Sequence, residues 1–323
     1  MGRPEDEFGL IRRMSLRVVR WGKYAALRRS ARIRAARPVS AARVLPVRYI
    51  VGCGRSGTTI LARALAKHPR ACFVYEPYHL WERIDTRADM TAFHSPARDK
   101  LVIMDAEHAD PAQREVYRRL IGAAGHPRRH DCVIEKTPIN ACRIGWIEQL
   151  EDDARYVHIV RNGLAVAASI ERIVLRPTYR LATRPNYHQW WGEDMIKWHS
   201  LAEQGERRGY GVGCTHLLES HLQRGAYEWI VSLSEVDRWR SVLGDRLLEL
   251  TLTELTGDPA THIGRIAAHF GLDPSGAWLD RAAATIEREN RAPAADLVLP
   301  QSLADAFNGF QDRYGFAGKA RAA

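Results

Sequence analysis

No apolar run in this chain approaches the ~18 residues that a membrane-spanning helix needs. The first residues carry Glu5, Asp6 and Glu7 and lack the uninterrupted apolar core of a signal peptide, so a cytoplasmic protein is the expectation. Cysteine is sparse. The five cysteines (Cys53, Cys72, Cys132, Cys142, Cys214) are an odd number without a C-x-x-C pair, which argues against a disulfide framework or a thiolate zinc site. Reduced, mostly buried thiols and no metal are predicted instead. The body of the chain also lacks a charge imbalance. The formal net charge is +10, but residues 1–48 hold 13 Lys/Arg against 3 Asp/Glu, leaving 35 basic and 35 acidic residues for the rest. A balanced body gives no electrostatic case for a nucleic-acid groove.

A further absence is local. In Tyr49–Pro69, short apolar strand character (Val47, Tyr49–Val51) runs into Gly52-Cys53-Gly54-Arg55-Ser56-Gly57-Thr58-Thr59 and then into helical composition over Ile60–Ala66. Strand, glycine-rich turn and helix together aim backbone N–H groups at a phosphate. A nucleoside-triphosphate loop, G-x-x-x-x-G-K-[ST], has a lysine where this chain has Thr58. Here the cation is Arg55, three residues earlier, which suits a nucleotide whose 5′ side ends in one phosphate-like group. A P-loop kinase or nucleotide hydrolase is the alternative enzyme; the missing lysine and the lack of a plain Asp-ended apolar strand for Mg²⁺ count against it. A membrane-peripheral nucleotide-binding module is the alternative outside enzymes.

What is present reads as an α/β chain. Ala71–Tyr75, Cys132–Glu135, Tyr156–Val160 and Leu247–Leu252 join the first strand as short buried strands, with helical segments between them. This spacing predicts a three-layer fold, a central parallel sheet of about five strands flanked by helices, in a single domain over 47–323. Residues 1–46 are read as a basic amphipathic arm and linker. Over residues 8–36, Leu10, Ile11, Met14, Val18, Trp21 and Ala25 share one helical face opposite Arg12, Arg13, Arg20 and Lys23. Such a helix suits an anionic membrane surface, or packs on the body.

In open parallel sheets, ligands bind outside the carboxyl ends of the strands. Four predicted strands end in chemically notable residues: the Gly52–Thr59 loop, Glu76, Lys136 and Arg161. Arg161 and Ser169, eight residues apart across a strand-to-helix turn, offer a planar cation and a hydroxyl for a second phosphate.

These residues carry a resemblance. GCGRSGTT resembles the 5′-phosphosulfate loop of the sulfotransferases, and RNGLAVAAS their 3′-phosphate motif R-x-x-x-x-x-x-x-S. Lys136-Thr137-Pro138 and Glu76-Pro77 resemble segments of the Golgi-type carbohydrate sulfotransferases and their bacterial relatives. Thr253-Glu254-Leu255 and Asp258-Pro259 are similar to a later Y-E-x-L-x-x-D-P signature, with Thr253 in place of the tyrosine. The resemblance spans about residues 47–275. It implies 3′-phosphoadenosine 5′-phosphosulfate (PAPS) as donor, a hydroxyl or amine of a carbohydrate, glycolipid or other small molecule as acceptor, and no metal. In that reading Gly54, Arg55, Ser56, Gly57, Thr58 and Thr59 hold the 5′ side and Arg161 and Ser169 the 3′-phosphate. Glu76 is the base and Arg55 and Lys136 are the catalytic cations, with His79 as the rival base. Arg288, Asn290 and Arg291 are candidates for the adenosine, and Tyr179, Tyr187, Trp190 and Trp191 for an acceptor platform or simple packing.

Overall fold

Alternation along the strands builds the sheet. In β1 (Val47–Val51), Val47, Tyr49 and Val51 pack on one face with Val133, Tyr156, Trp81 and Trp146. Ile50 packs on the other with Ile134, Val157, Ile159, Leu61 and Phe270. A strand buried on both faces reads as a continuous apolar run, which is why the sequence shows it. The structure, a computed structural model, describes residues 22–95, 97–176, 187, 188, 190–287 and 296–323.

The five-stranded sheet has the order β2–β3–β1–β4–β7, with β2 (Ala71–Tyr75), β3 (Cys132–Lys136), β4 (Arg155–Val160) and β7 (Leu247–Thr251). Every pairing in it is parallel, so all five carboxyl ends emerge along one rim. One face is covered by α2 (Thr58–Leu65), α9 (Leu252–Gly257), α10 (Pro259–His269) and α11 (Ala277–Ala283). On the other lie α3 (Tyr78–Ile84), α4 (Pro111–Tyr117) and α5 (Ile144–Leu150). A third apolar cluster around Trp229, Trp198 and Phe307 joins α6 (Gly163–Leu175), α7 (Ile196–Arg207), α8 (His221–Leu243) and α12 (Gln301–Arg313). A short hairpin, β5 (Tyr187–His188) with β6 (Gly192–Glu193), precedes α7. Among the described residues no helix is long and apolar enough to cross a membrane.

Two elements differ from the sequence reading. The loop helix begins at Thr58, not Ile60, because Gly57 takes φ 98° as its N-cap and turns both threonines into the first turn. The expected arm divides: residues 1–21, with most of the predicted stripe, lie outside the described residues. Residues 22–36 form a helix, α1, packed on the body, with Ala31 and Ala35 only 1% and 4% exposed. Ala25, the last member of the predicted stripe, is exposed. The inward face runs instead through Tyr24, Leu27, Arg28, Ala31 and Ala35, at the i, i+3, i+4, i+7 spacing of a docked helix.

Candidate active site

The turn after β1 is tight and strained. Gly52 (φ 145°) brings its backbone so close to β4 that a Cβ would sit 2.6 Å from the Ile159 carbonyl oxygen. Arg55 itself holds φ 76°, a left-handed conformation that costs a non-glycine residue on the order of 1–3 kcal/mol. Ser56 is fully buried, and its Oγ has no hydrogen-bond partner among the described residues. Buried hydroxyls are rarely left so, and an orphan inside such a loop fits an anion that the loop is built to hold.

The two motifs read as donor-binding meet directly. Arg55 Nε donates to Ser169 Oγ at 3.1 Å, and Arg161 Nη1 donates to the Arg55 carbonyl at 3.2 Å. The pairing of β1 with β4 makes this possible, since Arg55 follows one strand and Arg161 the other. Ser169 is supplied by α6, whose N-terminus Asn162 caps by accepting from the Ala165 N–H.

On the other side of β1 the ends of β2 and β3 converge. Lys136 is fully buried, and its Nζ donates to Glu76 Oε1 at 2.5 Å and to Thr59 Oγ1 at 3.0 Å. It also lies 4.2 Å from the centre of the Tyr75 ring, a cation–π contact. Glu76 sits at φ 41°, yet its N–H still donates to the Lys136 carbonyl at 2.9 Å, extending the β2–β3 ladder by one rung. Its side chain remains 29% exposed. Beneath Lys136, on the opposite face of β3, burial pushes the Glu135 carboxyl up to about 7, although Thr137, Trp81 and Asn140 all donate to it.

Gly54, Arg55, Thr58, Thr59, Glu76 and His79 open onto one cavity of about 590 Å³. Burial, and then the neighbouring His94 and Arg34, push the His79 imidazole down to about 4, so it is neutral near pH 7. A Cβ on Gly54 would lie 2.5 Å from the ring of Trp190, so only glycine fits beneath that indole. Trp190 is held by Glu228, which accepts from its Nε1 at 3.0 Å, and by Lys197, 4.4 Å from the ring centre. Lys197 and Glu228 form a buried ion pair at 2.6 Å.

Every residue named as catalytic or donor-binding therefore falls on the same rim. Ser56, Gly57, Lys136, Arg161 and Ser169 do not themselves line the cavity; Lys136 bonds to Thr59 and Glu76, and Arg161 and Ser169 bond to Arg55, all of which do. Of the expected acceptor platform, Trp190 lines the cavity, whereas Trp191 is fully buried core. Tyr187 contributes its backbone to β5. Tyr179, Arg288, Asn290 and Arg291 lie outside the described residues. Tyr75, Lys197 and Glu228 were not anticipated. Tyr75 was visible as the last residue of an apolar strand, but nothing local marks the other two.

The profile described as Sulfotransferase family matches residues 46–219, more than half of the chain and all of the rim from the loop to Ser169. The chain belongs to the sulfotransferase family. Among solved structures, the sulfotransferase STF9 of Mycobacterium avium aligns with this sulfotransferase at TM-score 0.50 and 14% identity, over 97% of this chain and 88% of that one. A sulfotransferase of Alicyclobacillus acidocaldarius aligns at 0.44 and 14% identity, over 84% of this chain and 97% of its own. A mouse sulfotransferase, SULT7A1, complexed with PAP (adenosine 3′,5′-bisphosphate), aligns at 0.37 and 14% identity, over 84% and 80%. At such identities the likeness is one of fold. No curated protein sequence matches the chain. Membership makes PAPS-dependent sulfuryl transfer the chemistry of this sulfotransferase, as its paired phosphate motifs implied.

Proposed function

We propose that this enzyme moves the sulfuryl group of PAPS to a hydroxyl of a small acceptor held in the cavity, with Glu76 as base and Arg55 and Lys136 as the cations. One observation carries the reading: a single buried ammonium, Lys136, bridges the phosphate loop at Thr59 and the carboxylate of Glu76. PAPS supplies an already activated sulfuryl group, so the protein has to position, deprotonate and neutralise. The acceptor oxygen forms a bond to sulfur while the bond from sulfur to the 5′-phosphate oxygen breaks. Glu76 takes the hydroxyl proton, and PAP departs with the electron pair. Arg55 and Lys136 stabilise charge on the sulfuryl and bridging oxygens, and the loop amides, Ser56, Thr58 and Thr59 hold the 5′-phosphate. Arg161 and Ser169 hold the 3′-phosphate. Arginine stays protonated, so Arg55 acts by charge and hydrogen bonding alone.

The donor assignment is tested by calorimetry with PAP and AMP. A charge-assisted contact to phosphate is worth about 1.5–3 kcal/mol, so Arg161→Ala should weaken PAP binding at least ~10-fold and AMP binding no more than ~3-fold. Equal losses for the two ligands would remove the 3′-phosphate role from Arg161.

A further inference from the structure

The reaction described above makes no use of Trp190, Lys197 or Glu228, although all three line the cavity beside Gly54 and Arg55. Trp190 stands in the turn of the β5–β6 hairpin, next to Trp191. The two neighbours differ in placement. Trp191 is fully buried and meets Trp198 edge-on at 6.0 Å. Trp190 stays half-buried and brings its six-membered ring against Gly54. The hairpin is fastened on both sides: the Glu193 N–H donates to the Thr91 carbonyl at 3.0 Å, and the Lys197 N–H to the Trp191 carbonyl at 2.9 Å. Its exit into α7 passes through Met195 at φ 59°, a left-handed course that persists only where the surroundings impose it.

The phosphate loop is fitted to that ring. Gly54 is not one of the left-handed glycines, so its backbone does not demand glycine; the indole does, since a Cβ would lie 2.5 Å from it. The ring therefore rests on the residue before Arg55, the cation assigned to the sulfuryl group. A buried ion pair seldom stabilises a fold more than hydrocarbon of the same volume, so the Lys197–Glu228 pair calls for another role. Its geometry supplies one. Glu228 places one oxygen on the Lys197 ammonium and the other on the indole N–H, and that ammonium lies over the face of the Trp190 ring. An activated sulfuryl group that an acceptor can attack is also open to water, so the site has to keep water away from it.

We propose that Trp190 is a water-excluding roof over the phosphate loop, held in position by Lys197 and Glu228, and that it reserves the sulfuryl group for the acceptor. This rests on the sulfuryl-transfer reading above, and the test separates the two. In the reaction that the roof suppresses, a water oxygen bonds to sulfur and the bond from sulfur to the 5′-phosphate oxygen breaks. PAP leaves with the electron pair, and the two protons of the water pass to solvent. The full chain is incubated with radiolabelled PAPS and no acceptor, release of sulfate is followed, and PAP binding is measured by calorimetry. Trp190→Ala raises sulfate release at least ~10-fold while PAP affinity stays within ~3-fold of the parent. Trp190→Phe, which keeps a ring over Gly54, stays within ~3-fold of the parent in both. Lys197→Met with Glu228→Leu removes both holds on the indole without stranding a buried charge, and raises sulfate release as well. Should Trp190→Ala not fold, Trp190→Leu, nearer in volume, carries the same expectation. The inference is overturned if the alanine or leucine variant binds PAP as the parent does yet releases sulfate no faster, or if Trp190→Phe releases as much as Trp190→Ala. A larger loss of PAP affinity in Trp190→Ala also overturns it, the ring then being a nucleotide contact. Failure of the unsubstituted protein to bind PAP overturns the sulfuryl-transfer reading, and this one with it.

Discussion

Replacing Glu76 by glutamine separates two effects that the geometry joins. The amide keeps shape and hydrogen-bonding capacity but loses basicity, so turnover should fall ~10²–10⁴-fold while PAP still binds. The same change removes the anion that neutralises a fully buried ammonium 2.5 Å away. Breaking a fully buried pair costs about 3–5 kcal/mol. Glu76 is 29% exposed, and Lys136 keeps Thr59 and the Tyr75 ring, so a loss of about 1–3 kcal/mol is expected. Urea unfolding of Glu76→Gln measures it directly. Two further arms attach the loss to this pair. In a Lys136→Met background, where no cation remains to be stranded, Glu76→Gln should cost under ~0.5 kcal/mol. Saturating PAP, which returns negative charge to the site, should stabilise the single variant more than the parent. Equal losses with and without Lys136 would show that the ion pair does not hold this corner, and the stated coupling of base and cation would fail.

The remaining predictions concern titrating groups. His79 is neutral near pH 7, with its pKa at about 4, and lines the same cavity as an alternative base. His79→Ala should leave kcat within ~5-fold of the parent, and a fall of ~10²-fold beside a nearly active Glu76→Gln would transfer the base role to it. Away from the rim, Glu249 sinks to about 2: burial raises it, but His158 at 2.7 Å and Arg240 outweigh that. A carboxylate depressed on folding from 4.5 contributes stability that is present above pH ~4.5 and lost as pH falls toward 2, here on the order of 2–3 kcal/mol. Glu249→Gln should therefore be less stable than the parent at pH 7 by urea unfolding, with the gap narrowing below pH 4; a gap independent of pH would rule out the linkage.

The five strands were legible because apolar residues run together in each; β1, β3 and β4 are buried almost throughout, whereas β2 and β7, at the sheet edges, are largely half-buried. The rim was legible by extension: once strands were placed, Glu76, Lys136, Arg161 and the loop had to emerge from the same edge. The docking of α1 was not. Basic residues are normally counted as solvent-facing, but Arg28 and Arg34 turn inward to bond carbonyls of the body, which rotates the packed face away from Ala25. Lys197 and Glu228 were equally hidden, since a buried ion pair on separate helices leaves no periodic or local trace. That side of the cavity therefore had to await the structure.

The bond from Arg161 to the Arg55 carbonyl, with Ser169 on the Arg55 guanidinium, makes the two phosphate-binding corners one mechanical part. Arg55 occupies a backbone conformation that does not sustain itself, and the residues assigned to the 3′-phosphate are those that brace it. On the proposed assignment, ordering the far corner of the nucleotide would tune the cation at the reacting end. A sulfated nucleotide lacking the 3′-phosphate is then expected to lose affinity and also to present its sulfur to a less firmly aimed guanidinium. Donor selection would extend from the binding step into the transfer itself, through one hydrogen-bonded relay.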